Sequence, residues 1–329
     1  MSKNQPSLLS IITPVKNSEK WLEECIRSAV QQEFTNWEWI WVDDHSTDHS
    51  RYLLQKWAEK DPRIHLFSNP GQGIVPALQK ALAESKGQFI TRMDADDLMP
   101  DGRLQKLVQA LQHSPRGTVV SGLLAYFPEQ DLSPGYRSYQ NWLNTVALAQ
   151  SFWKNLYREC VIASPNWMMR KTDLEKAGGF SGLEYPEDYD LVFRWFQNGF
   201  SIRAVPEVTL YWREHPQRTS RNSPHYSQEA FFQLKVKRFV ELSYRGKGVQ
   251  IWGTGRKAKM AQSILEGFKI PVVVMGLSKH PQKLHYTALR NYKDPQLLIA
   301  VYPSEKEREE LQLYLRSLGL QEGVDHWFL

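Results

Sequence analysis

A short apolar stretch that ends in three acidic side chains constrains this chain more than any other feature. Residues 89–97 read Phe-Ile-Thr-Arg-Met-Asp-Ala-Asp-Asp, which predicts a β-strand with Asp94, Asp96 and Asp97 at its end. Asp94 and Asp96 are two residues apart, so on an extended backbone their carboxylates point the same way and repel each other. A divalent cation such as Mg2+ or Mn2+ relieves this repulsion, because it prefers oxygen ligands and shares carboxylates with substrate phosphates. The alternative is a solvated acidic turn before the helix that begins near Arg103.

The chain before this motif alternates strands and helices at short intervals. Apolar runs predict strands at residues 8–13, 39–42 and 64–67, in addition to the strand that ends in the acidic motif. Apolar residues at helical spacing predict a helix after each of the first three strands. Repeated β-α units of this kind imply an α/β fold, with a mostly parallel sheet flanked by crossover helices.

Polar residues and glycine follow the predicted strands at the points where the strands end. In parallel sheets, ligands bind outside the carboxyl ends of the strands. Those ends carry Pro14, Asp43, Asp44, Gly73, Asp94 and Asp96. A buried sheet needs apolar residues along its strands but no acids at their tips, so this coincidence favours a binding site over simple core packing.

Three segments in this order resemble the inverting nucleotide-sugar glycosyltransferases of family 2, which have the GT-A fold. They are residues 10–14 (Ser-Ile-Ile-Thr-Pro), 42–48 (Val-Asp-Asp-His-Ser-Thr-Asp) and 92–97 (Arg-Met-Asp-Ala-Asp-Asp). The resemblance continues through residues 169–171, 177–180, 186–191 and 211–215.

The resemblance implies a role for each matched residue near the strand ends. Pro14, Asp43 and Asp44 are expected to hold the base of the nucleotide. Gly73 is assigned to substrate binding from its place at the same sheet edge, not from the resemblance. Asp94 is expected to contact the ribose. Asp96 is expected to ligate the Mg2+ or Mn2+ ion that bridges the diphosphate.

Asp188 matches the general base of the family. Inversion needs one carboxylate to take a proton from the acceptor hydroxyl as it attacks the anomeric carbon, while the metal stabilises the leaving diphosphate. The alternative for Glu187 and Asp188 is an N-terminal helix cap, and both roles can hold together. We therefore expect Asp188 to be catalytic and Glu187 to bind substrate.

A histidine and two arginines follow the strand-like run at residues 208–212. In several relatives a histidine or arginine at the position of His215 approaches the metal or diphosphate, which suits an imidazole. A surface histidine is the alternative. Arg218 and Arg221 are expected to form a basic lid over the phosphates, against the alternative of solvated loop charges. We assign His215 to the metal and Arg218 to substrate binding.

Charge and composition limit the partners and the compartment. The 41 basic and 36 acidic residues give a net charge of +5, but no basic stripe alternates with stacking aromatics, so nucleic acid is not an expected partner. Basic residues at 235–238 fit an anionic membrane surface, where each charge contributes about 1 kcal/mol. The 2 cysteines form no disulfide framework, and no signal peptide or long apolar run occurs. The sequence predicts a cytoplasmic enzyme with peripheral association at the inner membrane leaflet.

The glycine-rich residues 245–248 mark a boundary. We expect a GT-A domain at residues 1–226, a helical linker at 227–245 and a small Rossmann-like α/β domain at 246–329. Residues 253–255 (Gly-Thr-Gly) follow a strand and open a helix, as a dinucleotide-binding motif does. However, Gly276 stands where that motif needs an acid for the ribose. Acceptor docking or formation of a homo-oligomer is the expected role of this domain.

Together these features predict a metal-dependent inverting glycosyltransferase. It is expected to move a hexose or N-acetylhexosamine from a nucleotide sugar, with UDP favoured, to a glycan or lipid-linked acceptor in surface polysaccharide synthesis. Residues 217–221 depart from the Gln-x-x-Arg-Trp motif of processive enzymes, which favours single addition. One alternative is a catalytically silent sugar-binding or scaffold protein, although such a protein has no need of Asp188. The other is a nucleotidyltransferase, which would need a glycine- and lysine-rich phosphate-binding loop after the first strand. Residues 14–17, which occupy that place, contain no glycine.

Overall fold

The computed structural model describes residues 8–128, 132–277, 284–301 and 305–329. The chain divides into two compact units, which we call the N-terminal and C-terminal units. The N-terminal unit holds the chain up to Ser151 together with Ile162–Leu183 and Arg194–Arg218, and the C-terminal unit holds Phe152–Val161, Glu184–Phe193 and Thr219–Leu329. The domain boundaries proposed from the sequence stay a prediction.

Seven strands form the sheet of the N-terminal unit within the described residues. They are β1 (Leu9–Val15), β2 (Trp37–Asp43), β3 (Ile64–Ser68), β4 (Phe89–Arg92), β5 (Thr118–Phe127), β6 (Trp167–Arg170) and β7 (Ser201–Arg213). Their order is β3-β2-β1-β4-β6-β5-β7, and only β6 runs antiparallel to its neighbours. The predicted α/β class with a mostly parallel sheet is confirmed.

Helices cover both faces of this sheet. They are α1 (Glu19–Val30), α2 (Ser50–Lys60), α3 (Ile74–Glu84), α4 (Arg103–Gln112), α5 (Pro134–Leu148) and α6 (Lys171–Lys176). Strand β2 is buried along its whole length, because it lies between helices on both faces. Its three tryptophans, Trp37, Trp39 and Trp41, are core residues rather than ligand contacts.

The aromatic residues of α5 pack on the sheet. Tyr126 of β5 stacks on Trp212 of β7 with ring centroids 4.9 Å apart, and Tyr136 of α5 meets Tyr126 edge to face at 5.4 Å. Aromatic pairs at such distances contribute to core packing. The structure thus gives these residues a packing role within the N-terminal unit.

The C-terminal unit contains a second parallel sheet. Its elements are the start of α7 (Glu187–Gln197), then α8 (Thr219–Asn222), α9 (Gln228–Leu242), β8 (Val249–Trp252), α10 (Arg256–Gly267), β9 (Val272–Gly276), β10 (Leu284–His285), β11 (Gln296–Ile299), α11 (Glu305–Ser317) and β12 (His326–Phe328). The strand order is β10-β9-β8-β11-β12. Within the described ranges, no helix of either unit combines the length and apolar character needed to cross a membrane.

Candidate functional site

The carboxyl ends of β2, β1 and β4 lie side by side in the N-terminal unit. Pro14 pairs with Val42 in the parallel register of β1 and β2. The hydroxyl of Thr13 donates to the carbonyl of Met93 at 2.7 Å, which fixes the chain just after β4 to β1. The strand ends that carry Pro14, the Asp43–Asp44 pair and Asp94 therefore meet at one edge of the sheet, as the sequence predicts.

Asp44 organises a buried polar pocket at this edge. Its Oδ1 accepts hydrogen bonds from Nδ2 of Asn69 at 2.6 Å and from the backbone N–H of Gly73 at 2.9 Å. Lys16 reaches its Oδ2 at 3.3 Å. The carboxylate is buried and fully engaged, so it shapes the loop after β3. Asn69 was missed by sequence reasoning, although its position before Pro70-Gly71 marks the turn.

Gly73 and Asp43 shape the two loops around this pocket. Gly73 begins α3 with φ 87° and ψ 177°, a conformation essentially restricted to glycine. Asp43 is buried, and its two oxygens lie 3.3 Å from the N–H of Ser46 and 3.5 Å from the guanidinium of Arg51. Both residues hold the backbone that borders the pocket. Their contact with a nucleotide stays a prediction.

Arg92 offsets the repulsion among the carboxylates after β4. Its Nε donates to Oδ1 of Asp94 at 2.8 Å, and the arginine side chain is only 6% exposed. A fixed cation beside Asp94 supplies part of the charge compensation that the sequence analysis assigns to a metal. The signal was present in the sequence, since Arg92 is the last residue of β4 and lies two residues before Asp94.

His215 lies directly beside Asp96. Its Nε2 is 2.8 Å from Oδ2 of Asp96, and its ring packs against Trp21 with centroids 4.0 Å apart. Exposed fractions of the two side chains are 10% for His215 and 24% for Asp96. Nδ1 of His215 is buried and has no hydrogen-bond partner in the described part of the chain. The two residues that the sequence assigns to a metal are therefore neighbours in the structure.

Asp97 is buried behind this pair. Burial, with the nearby charges of Asp96 and Asp94, raises the pKa of its carboxyl well above the ordinary range. Its Oδ1 accepts a hydrogen bond from the backbone N–H of Arg213 at 2.7 Å. Asp97 thereby links the loop that carries Asp94, Asp96 and Asp97, which we call the acidic loop, to the end of β7. The sequence did not predict this contact.

Arg218 is packed into the N-terminal unit. It forms an ion pair with Glu214 at 3.0 Å, and both side chains are nearly buried. Its guanidinium also lies over the ring of Trp212, 4.6 Å from the centroid. These contacts distinguish it from a solvated loop charge. A role in substrate binding stays a prediction for Arg218.

Glu187 and Asp188 begin α7 in the C-terminal unit. Glu187 is buried and accepts a hydrogen bond from the hydroxyl of Tyr226 at 2.5 Å. Oδ1 of Asp188 accepts from the backbone N–H of Tyr189 at 2.8 Å. Asp190 is fully buried and bonded to Nε of Arg238 at 2.8 Å. Tyr226 and Arg238 thus fix this helix start, and neither was identified from the sequence.

Asp96 and His215 suit a divalent cation that also binds diphosphate oxygens. Mg2+ usually takes few protein ligands at 2.0–2.1 Å in an octahedron, which leaves adjacent ligand atoms about 3 Å apart. The observed 2.8 Å between Oδ2 and Nε2 is close to that spacing. Among the described residues, no group of three or more histidine, cysteine, aspartate or glutamate side chains is placed to hold a metal. The pair therefore fits an ion held jointly with a substrate rather than a closed protein site.

Comparison with known proteins identifies the family. The model of glycosyl transferase family 2 matches residues 10–178, which is just over half of the chain. The matched part contains the Asp44 pocket and the acidic loop. The chain belongs to glycosyl transferase family 2.

Several curated relatives carry related sequences. A putative teichuronic acid biosynthesis glycosyltransferase, TuaG of Bacillus subtilis, is 35% identical over 107 residues, which are 32% of this chain and 42% of TuaG. An uncharacterized glycosyltransferase of Haemophilus influenzae is 26% identical over 69% of this chain and 72% of its own length. The putative glycosyltransferase EpsE of Bacillus subtilis is 28% identical over 68% of this chain and 79% of its own length. The match to TuaG thus spans less than half of that protein.

Two solved structures share the fold of this family member. Residues 1–349 of S. aureus TarS, in complex with UDP-GlcNAc, align with a TM-score of 0.55 at 18% identity, over 79% of this chain and 71% of that chain. The mannosyltransferase PcManGT from Pyrobaculum calidifontis, in complex with GDP-Man and Mn2+, aligns with a TM-score of 0.55 at 17% identity. That alignment covers 96% of this chain and 87% of PcManGT. At these identities the likeness supports the fold alone.

Proposed function

We propose that this family 2 member is a metal-dependent inverting glycosyltransferase. It transfers a hexose or N-acetylhexosamine from a nucleotide sugar to a glycan or lipid-linked acceptor. The observation that carries the proposal is the 2.8 Å approach of His215 to Asp96, at the sheet edge that also holds the Asp44 pocket. Core packing does not require a histidine and a carboxylate to meet at that edge.

The donor site is assigned to the N-terminal unit. Pro14, Asp43, Asp44 and Gly73 border the base, and Asp94 binds the ribose. Both solved neighbours described above are complexes with nucleoside diphosphate sugars, UDP-GlcNAc and GDP-Man. They support this donor class, within which we favour UDP.

Asp96 and His215 would hold Mg2+ or Mn2+ beside the diphosphate. When bound, the ion would neutralise negative charge that develops on the leaving diphosphate. The PcManGT complex with Mn2+ supports a divalent cofactor in this fold. Arg218 lies near the same carboxylates, although Glu214 offsets part of its charge, and we assign it to binding of the anionic substrate.

Asp188 serves as the general base. It takes the proton of the acceptor hydroxyl while the oxygen of that hydroxyl attacks the anomeric carbon. The bond between the anomeric carbon and the diphosphate oxygen breaks on the opposite side, so the configuration inverts. Glu187 contributes by holding Tyr226, which orders the helix start that carries Asp188. The nucleoside diphosphate leaves with its electron pair.

We assign the acceptor to the glycans or lipid-linked intermediates from which a surface polysaccharide is made. TuaG is named for teichuronic acid biosynthesis. RfbC of Myxococcus xanthus, which is 28% identical over 63% of this chain but only 16% of its own length, is named for O-antigen biosynthesis. We further propose single addition of the sugar and a cytoplasmic location with peripheral contact to the inner membrane leaflet. Residues 246–329 are proposed to dock the acceptor or to form a homo-oligomer.

A donor screen tests the proposal. UDP-glucose, UDP-galactose, their N-acetylhexosamine counterparts and GDP-mannose are incubated with the protein and Mn2+ or Mg2+, and release of nucleoside diphosphate is measured. We expect one donor to be hydrolysed slowly to a sugar of inverted configuration, and EDTA to stop the reaction. Saturable donor binding with no turnover on any donor would instead favour the sugar-binding protein. Retention of configuration would exclude Asp188 as the base of a single displacement.

A further inference from the structure

We propose that Arg213 is a positioning residue that holds Asp96 and His215 together. This inference rests on the proposed function, because it concerns the two residues assigned to the metal. Arg213 is the last residue of β7, two positions before His215, and its side chain is only 14% exposed. Arg213 fixes the acidic loop against the end of β7.

Three different groups surround the guanidinium of Arg213. Its Nε donates to the backbone carbonyl of Asp96 at 2.6 Å, and a terminal nitrogen donates to Glu24 of α1 at 2.6 Å. The guanidinium carbon lies 4.4 Å from the ring centroid of Phe127. The contact with Asp96 is made to the same residue that bonds His215, so Arg213 acts on the orientation of that carboxylate.

The backbone around Arg213 adds a second connection between the same two segments. Its N–H donates to Oδ1 of Asp97 at 2.7 Å. Two residues earlier, Tyr211 exchanges a pair of backbone hydrogen bonds with Leu98, at 3.0 and 3.1 Å. The end of β7 is therefore joined to the acidic loop at Tyr211 and again at Arg213. The hydrogen bond from the Arg213 side chain to Asp96 is the last of these contacts before His215.

Helix α1 supports this arrangement with one face. Trp21 packs on the ring of His215, Glu24 pairs with Arg213, and the thiol of Cys25 lies 3.5 Å from the carbonyl of Asp94. Positions three and four apart share one face of a helix, which is why residues 21, 24 and 25 reach the same loop. One face of α1 therefore holds the acidic loop and His215 in place. The sequence predicts the helix but not these contacts.

The chemistry of these contacts favours a positioning role over a general contribution to stability. Glu24 is 63% exposed, and an ion pair with so exposed a partner contributes little to the stability of the fold. The hydrogen bond to the carbonyl of Asp96 is directional, and the planar guanidinium donates to it from Nε while a terminal nitrogen reaches Glu24 in a fixed geometry. A lysine carries its donors on one compact, flexible ammonium, so it does not reproduce this geometry.

The test compares Arg213→Met with wild type in two measurements. The first is the long-range proton–nitrogen NMR spectrum of the histidine rings, in which His215 is assigned by its loss in His215→Gln. We expect the Nε2 signal of His215 to shift in Arg213→Met, because the hydrogen bond with Asp96 is lost or lengthened. The second is the affinity for UDP and for GDP with MnCl2, which we expect to fall by about tenfold or more.

Arg27→Met is the matched control. Arg27 pairs with Glu23 on the same helix and lies over the ring of Trp57, so its removal deletes an arginine–glutamate ion pair and a ring contact away from the acidic loop. We expect it to leave both measurements unchanged. Arg213→Lys and Glu24→Gln each keep one part of the contact set, so they should give smaller changes in the same direction. They also keep the test decisive if Arg213→Met does not fold.

The outcomes separate this inference from the proposed function. A folded Arg213→Met with an unchanged His215 spectrum overturns the positioning role, and so do unchanged His215 spectra in both conservative variants. If wild type binds neither nucleotide in a Mn2+-dependent way, the metal assignment fails. The NMR comparison still decides in that case whether Arg213 orients His215.

Discussion

Asp96 and His215 are separated by 119 positions in the sequence, yet Oδ2 of Asp96 and Nε2 of His215 lie 2.8 Å apart. Strands β4 and β7, which lead to them, are not neighbours, because β6 and β5 lie between them in the sheet. The loop after β4 must therefore cross the ends of two strands to reach β7. The backbone pairing of Leu98 with Tyr211 and the bond from Arg213 to Asp97 stabilise this crossing.

The first prediction concerns the carboxylate of Asp96. Asp96→Ala removes one of the two groups assigned to the metal, so turnover and the thermal stabilisation by Mn2+ plus nucleotide should both be lost. The side chain is partly exposed at a sheet edge, so the fold should persist, as checked by circular dichroism. Asp101→Ala, at an exposed acid of the following turn, is the control and should behave as wild type. Full activity of Asp96→Ala, or of wild type in excess EDTA, would rule out the metal role.

The second prediction concerns the backbone of Gly73. Gly73→Ala places a side chain where φ is 87° and ψ 177°, which costs about 1–3 kcal/mol of stability or displaces the loop. Displacement would break the bond from its N–H to Asp44, so the Michaelis constant for the donor should rise more than the rate constant falls. Gly135→Ala, at an unstrained glycine with ordinary clearance, should change neither quantity. An unaltered Michaelis constant with lowered stability would show that Gly73 is structural only.

The third prediction concerns Asp188. Asp188→Asn is nearly isosteric, so donor affinity should be kept while transfer to the acceptor slows by roughly 100-fold or more, the range for loss of a general base. Isothermal titration measures the affinity, and a coupled assay for nucleoside diphosphate measures the rate. Glu175→Gln removes an exposed carboxylate elsewhere and should leave both unchanged. Equal loss of donor affinity and rate would assign Asp188 to binding instead.

The strand ends were predictable because their signal is local. An apolar run followed by acids identifies β2 with Asp43 and β4 with Asp94, and parallel topology then brings these ends together. Strands β5 and β6 were not identified, because a short apolar run does not by itself distinguish a buried strand from a helix.

The support of the site was not predictable, since it depends on contacts distant in sequence. Glu24 looks like an ordinary solvent-facing position of α1, and only the packed structure brings it to Arg213. Arg218 follows a predicted strand and was expected to belong to a basic lid, but only the packed structure shows its burial against Trp212 and Glu214. The role of His215 came from the family resemblance, because a histidine before a proline carries no local signal for a metal.

The fourth prediction uses the buried histidine of β12. Burial lowers the pKa of His326 from 6.5 to about 4. Between these values the unfolded chain binds more protons than the folded chain, so stability falls as the pH decreases from about 6.5 to 4. The full effect corresponds to about 3 kcal/mol. The difference in unfolding temperature between wild type and His326→Gln should therefore change across this range, whereas His113→Gln, at an exposed histidine, should follow wild type. A pH-independent difference for His326→Gln would contradict the assignment.

The last prediction concerns the glycine turn between β8 and α10. A Cβ on Gly253 would lie 2.7 Å from Cγ1 of Val301 and 3.0 Å from the carbonyl of Ala300, whereas one on Gly255 would meet nothing within 4 Å. Packing beside β11 thus already accounts for the first glycine, without a bound phosphate. Strand β9 ends at Gly276, which offers no carboxylate to a ribose.

We therefore expect NAD, NADP and S-adenosylmethionine, titrated against the full chain, to show no saturable binding at micromolar concentration. Gly253→Ala should lower the unfolding temperature because its side chain cannot be accommodated beside Val301. Gly255→Ala should be tolerated, since space is open there. Micromolar binding of any of the three compounds, abolished by Gly255→Ala, would instead assign a cofactor to this turn, because only a ligand approaching the backbone closely would make the second glycine necessary.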